Sequence, residues 1–138
     1  MLAQDQQGED MLDHIGLKVT DIERARAFYN KALAPLGVSV VMEVPAEETG
    51  AGAYLGYGEG FKPYFWLGED KKATELLHVA FAAPNRAKVD EFYKAAMAAG
   101  GRDNGPPGLR ELYHPTYYGA FVLDPDGHNI EAVCHAPE

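Results

Sequence analysis

Leu12-Asp13-His14-Ile15-Gly16-Leu17-Lys18-Val19 and Leu76-Leu77-His78-Val79-Ala80-Phe81-Ala82 decide the fold, because each opens one copy of a repeated pattern. His14 is followed by Phe28-Tyr29 and Gly37, and His78 by Phe92-Tyr93 and Gly101, every pair 64 residues apart. A histidine, an aromatic pair and a glycine recurring in register mark an internal duplication. The first half covers about residues 11–69 and the second about 73–135. Only the charged turn Glu69-Asp70-Lys71-Lys72 separates them, so the halves are expected to pack as one domain over residues 11–138.

Both opening stretches alternate as strands do. Ile15, Leu17 and Val19 share one face, and His14, Gly16 and Lys18 the other. Leu77, Val79 and Phe81 likewise oppose His78, Ala80 and Ala82. A helix follows each. Thr20-Asp21-Ile22-Glu23 reads as a capping box before the stripe Ile22, Ala25, Tyr29, Ala32, Leu33 and Leu36. Asn85 caps a second helix with the stripe Val89, Phe92, Ala96 and Met97, ended by Gly100-Gly101. Three strands complete each half, near Ser39–Val44, Ala53–Tyr57 and Pro63–Leu67, then Gly101–Asp103, Gly119–Asp124 and Asn129–Cys134. The expected class is α+β: two tandem βαβββ modules forming curved mixed sheets around a concave site.

Chemistry is expected in that hollow. The bulky face of each opening strand belongs against its helix, which turns a histidine and small neighbours to the opposite side. In the last strand Ile130, Ala132 and Cys134 suit the helix side, so Glu131 faces the hollow. His14, His78 and Glu131 are a donor set suited to Fe(II), Mn(II), Zn(II), Ni(II) or Co(II). His128 falls on the other parity and reads as a turn residue. Cys134 reads as a small core residue.

Asp13-His14-Ile15, Leu77-His78-Val79 and the run Asp124-Pro125-Asp126-Gly127-His128-Asn129-Ile130-Glu131 resemble the motifs of the vicinal oxygen chelate superfamily, the glyoxalase, bleomycin-resistance and extradiol dioxygenase group. The resemblance covers nearly all of residues 11–135. It implies a glyoxalase-like fold with metal ligands on the first and last strands of each module. His14, His78 and Glu131 match three of those four positions. The fourth falls within Pro63–Leu67, at Tyr64, Phe65, Trp66 or Leu67, none of them a carboxylate. Glyoxalase I-like members keep a glutamate there that binds metal and helps move the proton, so the resemblance points instead to the three-ligand members. It implies a metal-dependent lyase, transferase or dioxygenase that chelates a small substrate through neighbouring oxygens. Tyr64, Trp66 and Arg110 are then candidate substrate contacts, and His114 and Tyr117 candidate proton carriers on a lid spanning Asn104–Tyr118. The alternative is a metal-free binding protein of the bleomycin-resistance type, with Tyr54, Tyr57, Tyr64, Phe65 and Trp66 stacking on a planar ligand. Members of this length pair, so a homodimer is expected, either stacking modules or exchanging them. Under exchange His14 would come from one chain and His78 with Glu131 from the other.

Composition narrows the partners. Twelve Lys plus Arg against 21 Asp plus Glu give a net charge of −9, which repels a phosphate backbone and an anionic membrane surface. No apolar run reaches the roughly 18 residues of a membrane span. A single cysteine suits the reducing cytoplasm. Gly50–Gly60 lacks nucleotide-loop spacing. Met1–Asp10 is polar and reads as a flexible tail, with Met11 a candidate original start.

Overall fold

Asp21, not Thr20, caps the first helix. Its carboxylate accepts the N–H groups of Glu23 and Arg24, and Thr20 is drawn away to Asp126. This is one of several contacts in which the second half of the chain fixes the first. The computed structural model describes residues 11–137; the expected N-terminal tail lies outside them.

The elements run β1 (Ile15–Val19), α1 (Ile22–Ala32), a 3-10 turn (Ala34–Leu36), β2 (Ser39–Val44), a one-turn helix α2 (Ala46–Thr49), β3 (Tyr54–Glu59) and β4 (Lys62–Glu69). The second half gives β5 (His78–Ala82), α3 (Arg86–Ala98), β6 (Arg102–Leu109), β7 (Tyr118–Leu123) and β8 (Asn129–Cys134). Each half is the expected βαβββ module. The sheets are ordered β1-β4-β3-β2 and β5-β8-β7-β6, with the first and last strands of each module parallel and all other pairs antiparallel. Gly37 ends the first helical segment at φ +79°, a left-handed position that glycine adopts without a Cβ clash.

The helical stripes meet the odd-numbered faces of β1 and β5 as their alternation requires. Leu17, Val19, Ala25, Tyr29, Ala32, Phe81, Val89, Phe92 and Ala96 all belong to one buried cluster that spans both modules. Phe65 of module 1 meets Phe81 of module 2 edge-on, with ring centroids 5.1 Å apart. Phe65 and Tyr57, read above as candidate stacking residues, are core side chains packed around Tyr29.

A polar clasp joins the modules beside this core. It is built by the turn Asp124–His128. The Tyr29 hydroxyl donates to Asp124 Oδ2 at 2.5 Å, while Asp124 Oδ1 accepts the N–H groups of Asp126 and His128. Asp126 in turn accepts from the Thr20 hydroxyl and from Arg24. His128 is not a free turn residue. It is buried, accepts the Leu77 N–H at Nδ1 and donates from Nε2 to the Lys18 carbonyl at 2.7 Å. One nitrogen accepting and the other donating is the pattern of a neutral imidazole with its hydrogen on Nε2.

Two of the shifted boundaries bear on the site. β6 runs on through Pro106 and Pro107 to Leu109, so the expected lid shortens to residues 110–117. Proline is tolerated there because β6 is an edge strand, bulged on both sides of Gly105, and one side of its backbone needs no donor. β1 starts at Ile15, which leaves His14 just ahead of the strand.

Candidate active site

The two modules carry the same opening histidine into different surroundings. In module 2, Ala80 sits opposite Glu131 in the β5–β8 register, so His78 and Glu131 share a sheet face. His78 Nε2 meets Glu131 Oε1 at 2.8 Å. The Tyr117 hydroxyl donates to Glu131 Oε2. The histidine side chain is 52% exposed and the glutamate 1%. A buried carboxylate thus stands behind an accessible imidazole, with each oxygen held by a different donor. Burial, followed by the hydrogen bond and charge of Glu131, raises the Tyr117 hydroxyl well above its ordinary range, so it stays protonated at neutral pH.

Phe121 lies opposite Glu131 on β7, its ring centroid 6.0 Å from that of His78. The Arg110 guanidinium covers the same ring at 5.4 Å and donates to the Pro106 carbonyl. Asn129, opposite His78 in register, holds a buried Oδ1 with no hydrogen-bond partner. His114 joins this set only through Tyr117: its carbonyl accepts the Tyr117 N–H, and His135 packs against both rings. The His114 Nδ1 accepts the Thr116 N–H.

In module 1, His14 is bonded to the exposed Asp13 at 2.8 Å and touches no buried carboxylate. The Asp13 carboxyl is held below its usual range, first by the Lys62 ammonium and then by His14. Gly16 sits opposite Trp66, which therefore takes the place that Glu131 occupies in module 2. Of Tyr64, Phe65, Trp66 and Leu67, Trp66 is the register counterpart of Glu131. Tyr64, the extra residue of a bulge in β4, donates to Glu59, and burial followed by that charge pushes its hydroxyl up to about 12.

One chain therefore brings His78, Glu131, Tyr117 and Arg110 into one neighbourhood and leaves His14, Tyr64 and Trp66 on the other sheet. Among the described residues no three His, Cys, Asp or Glu side chains cluster closely enough within the chain to hold an ion. A cleft of about 720 Å³ opens along the free edges of β1 and β5, with His14, Tyr64 and His78 on its walls and Phe65 and Phe81 at its floor. Among the described residues no helix is long and apolar enough to cross a membrane.

Two βαβββ modules with an imidazole at the head of each define a paired-module, glyoxalase-like architecture. The family profile for the Glyoxalase/Bleomycin resistance protein/Dioxygenase superfamily matches residues 11–132, and the chain belongs to that superfamily. A glyoxalase/bleomycin resistance protein from Albidiferax ferrireducens T118 superposes with a TM-score of 0.70 at 27% identity, covering 90% of this chain and 98% of that one. A glyoxalase-related enzyme from Fulvimarina pelagi gives 0.64 at 20% identity, covering 90% and 87%. The V278E mutant of glyoxalase I from Zea mays gives 0.66 at 21% identity, covering 88% of this chain and 43% of that one. No curated protein matches the chain.

Proposed function

We propose that this protein is a metal-dependent enzyme acting on a small molecule with two neighbouring oxygens, and that its site is completed between two copies of the chain. The observation that carries the reading is the His78–Glu131 pair, an accessible imidazole backed by a buried carboxylate. The donor chemistry fits a divalent ion, and the unpartnered Asn129 Oδ1 lies beside it. Two donors do not make a site, and His14 of the same chain joins neither. His14 of a second copy would complete the set, which makes the working unit a homodimer.

When bound, Fe(II), Mn(II), Zn(II), Ni(II) or Co(II) supplies Lewis acidity toward the substrate oxygens. The remaining roles belong to the chain. Tyr117 orients Glu131 and keeps its own proton, so it acts as a donor rather than as a base. Arg110, held over Phe121, binds an anionic substrate group beside His78. The lyase, transferase or dioxygenase step is a matter for substrate screening. Small-molecule turnover in the cytoplasm, with no nucleic-acid or membrane partner, is part of the same proposal.

Calorimetry with each metal tests this. Wild type should bind, and Glu131→Gln and His14→Ala should each lose at least about a hundredfold in affinity. Mixing those two variants should restore binding at one site of each mixed dimer, because the His14→Ala chain retains His78 and Glu131 and the Glu131→Gln chain retains His14. No recovery on mixing would sink the shared site, and no binding by wild type would sink the metal. The second reading, a metal-free binding protein, would then lead. It draws on the fact that both Glu131 oxygens already have protein partners.

A further inference from the structure

The even-numbered face of module 1 is paved in a regular way. One row across its four strands reads Gly16, Trp66, Gly56 and Met42, and the next reads Lys18, Gly68, Tyr54 and Val44. Each large ring has glycine beside it. A methyl group added to Gly56 would fall 2.8 Å from Trp66 Cη2, so the indole occupies the space directly above that backbone. A methyl on Gly68 would fall 2.7 Å from Tyr54 Cε2, so the phenol covers Gly68 in the same manner. The rings are laid down over the sheet, because there are no side chains beneath to hold them upright. Both remain partly exposed. The Lys18 ammonium reaches across Gly68 to within 3.5 Å of the Tyr54 hydroxyl and 5.4 Å of its ring centroid.

We infer that Trp66, Tyr54 and Lys18 form a binding platform for a planar, conjugated anion. Resting on the reading of this face as the substrate side, the inference names the substrate class. Flat π-surface on the sheet favours a flat ligand over a puckered one of equal size. The Lys18 ammonium at the rim of that surface is the local attraction for negative charge, acting against the chain's net charge of −9. His14 lies just ahead of β1 and lines a cleft together with Tyr64, so a molecule on the platform that reached the start of β1 would present its end to the histidine. Trp66 is then a specificity-determining residue standing where module 2 keeps a carboxylate.

Trp66 is the only tryptophan in the chain, which makes it a reporter of its own site. The probe is 4-nitrobenzoate, a planar anion that quenches indole fluorescence, titrated into wild-type protein in EDTA. Its neutral counterpart 4-nitrobenzyl alcohol and the puckered anion cyclohexanecarboxylate serve as controls, with affinities taken from calorimetry. Saturable quenching by 4-nitrobenzoate is expected, with cyclohexanecarboxylate at least about tenfold weaker. Lys18→Met, an exposed change that leaves the core alone, should weaken 4-nitrobenzoate about tenfold and leave the alcohol unchanged. Gly56→Ala, whose methyl would meet Pro63 Cβ at 2.8 Å as well as the indole, should shift the emission of the free protein and weaken both aromatic probes. Non-saturable quenching, equal affinity for cyclohexanecarboxylate, or indifference to Lys18→Met would each overturn the platform. Metal is absent from these titrations. Their failure beside intact metal binding would therefore remove the substrate class alone, and the converse would remove the metal alone.

Discussion

Modules 1 and 2 share a topology and an opening histidine, yet differ at the residue facing that histidine's strand. Module 2 places Glu131 opposite Ala80, and module 1 places Trp66 opposite Gly16. One half therefore supplies a buried, hydrogen-bonded carboxylate, and the other an aromatic wall. The duplication preserved the frame that aims side chains into the hollow and let the chemistry of the two walls diverge. Neither wall is complete alone, which is the reason for placing the working site between two copies.

Substitutions at equivalent places test how far the two modules differ. The largest effect is expected from Trp66→Glu, which gives module 1 the carboxylate it lacks. Metal affinity in the proposed site should rise by at least about a hundredfold as the ligand set goes from three to four, measured by competition with a chelator. An unchanged affinity would show that Trp66 does not border the ion.

Next is the clasp, which has no counterpart in module 1. Asp124→Ala strands the buried Tyr29 hydroxyl and the His128 and Asp126 N–H groups together. A loss of about 3–5 kcal/mol in unfolding stability by urea titration is expected from removing one partner of a buried polar network. His128→Ala should cost about 1–3 kcal/mol for the unpaired Leu77 N–H and Lys18 carbonyl, with metal affinity unchanged. A drop in metal affinity would contradict the separation of clasp from site.

The repeated tyrosines give the finest contrast. Tyr29 is fully buried against Asp124, whereas Tyr93, its repeat mate, is partly exposed and bonded to Asp103. Tyr29→Phe should cost about 1–3 kcal/mol. Tyr93→Phe should leave the melting temperature nearly unchanged. Desolvation, then the charge of Asp124, raises the Tyr29 hydroxyl far above its unfolded value of about 10. A group raised in the folded state favours folding below its unfolded pKa and gives up that contribution as pH climbs above it. The Tyr29 contribution should therefore be constant below about pH 10 and be lost beyond it, and Tyr29→Phe should blunt the alkaline fall in stability. An identical alkaline profile in both proteins would remove Tyr29 as its cause.

Local rules carried the fold a long way. Alternation put Leu17, Val19 and Phe81 in the core and turned Glu131 toward the side of His78, as the register of β8 bears out. The two readings that were not legible depend on relations the periodicity does not encode. Repeat spacing is 64 residues from Gly16 to Ala80 but 65 from Trp66 to Glu131, so only strand pairing identifies Trp66 as the counterpart. His128 read as a bystander because its partners, Lys18 and Leu77, are 110 and 51 residues away. Its parity did place it opposite Glu131; what it bonds to there is tertiary. His14 and Glu131 lie on different sheets, and a single chain's pattern of faces does not say which two sheets enclose a hollow.

The clasp bears on how the proposed dimer would exchange its modules. Its bonds run between the turn of one module and the β1–α1 corner of the other. They are the same bonds whether the two modules belong to one polypeptide or to two. Trading modules between copies would leave that energy unchanged, and the balance between closed and swapped forms would rest on the short connection after β4 and on protein concentration. Shortening the segment from Asp70 to Leu77 should trap the swapped form, and lengthening it should release the closed one.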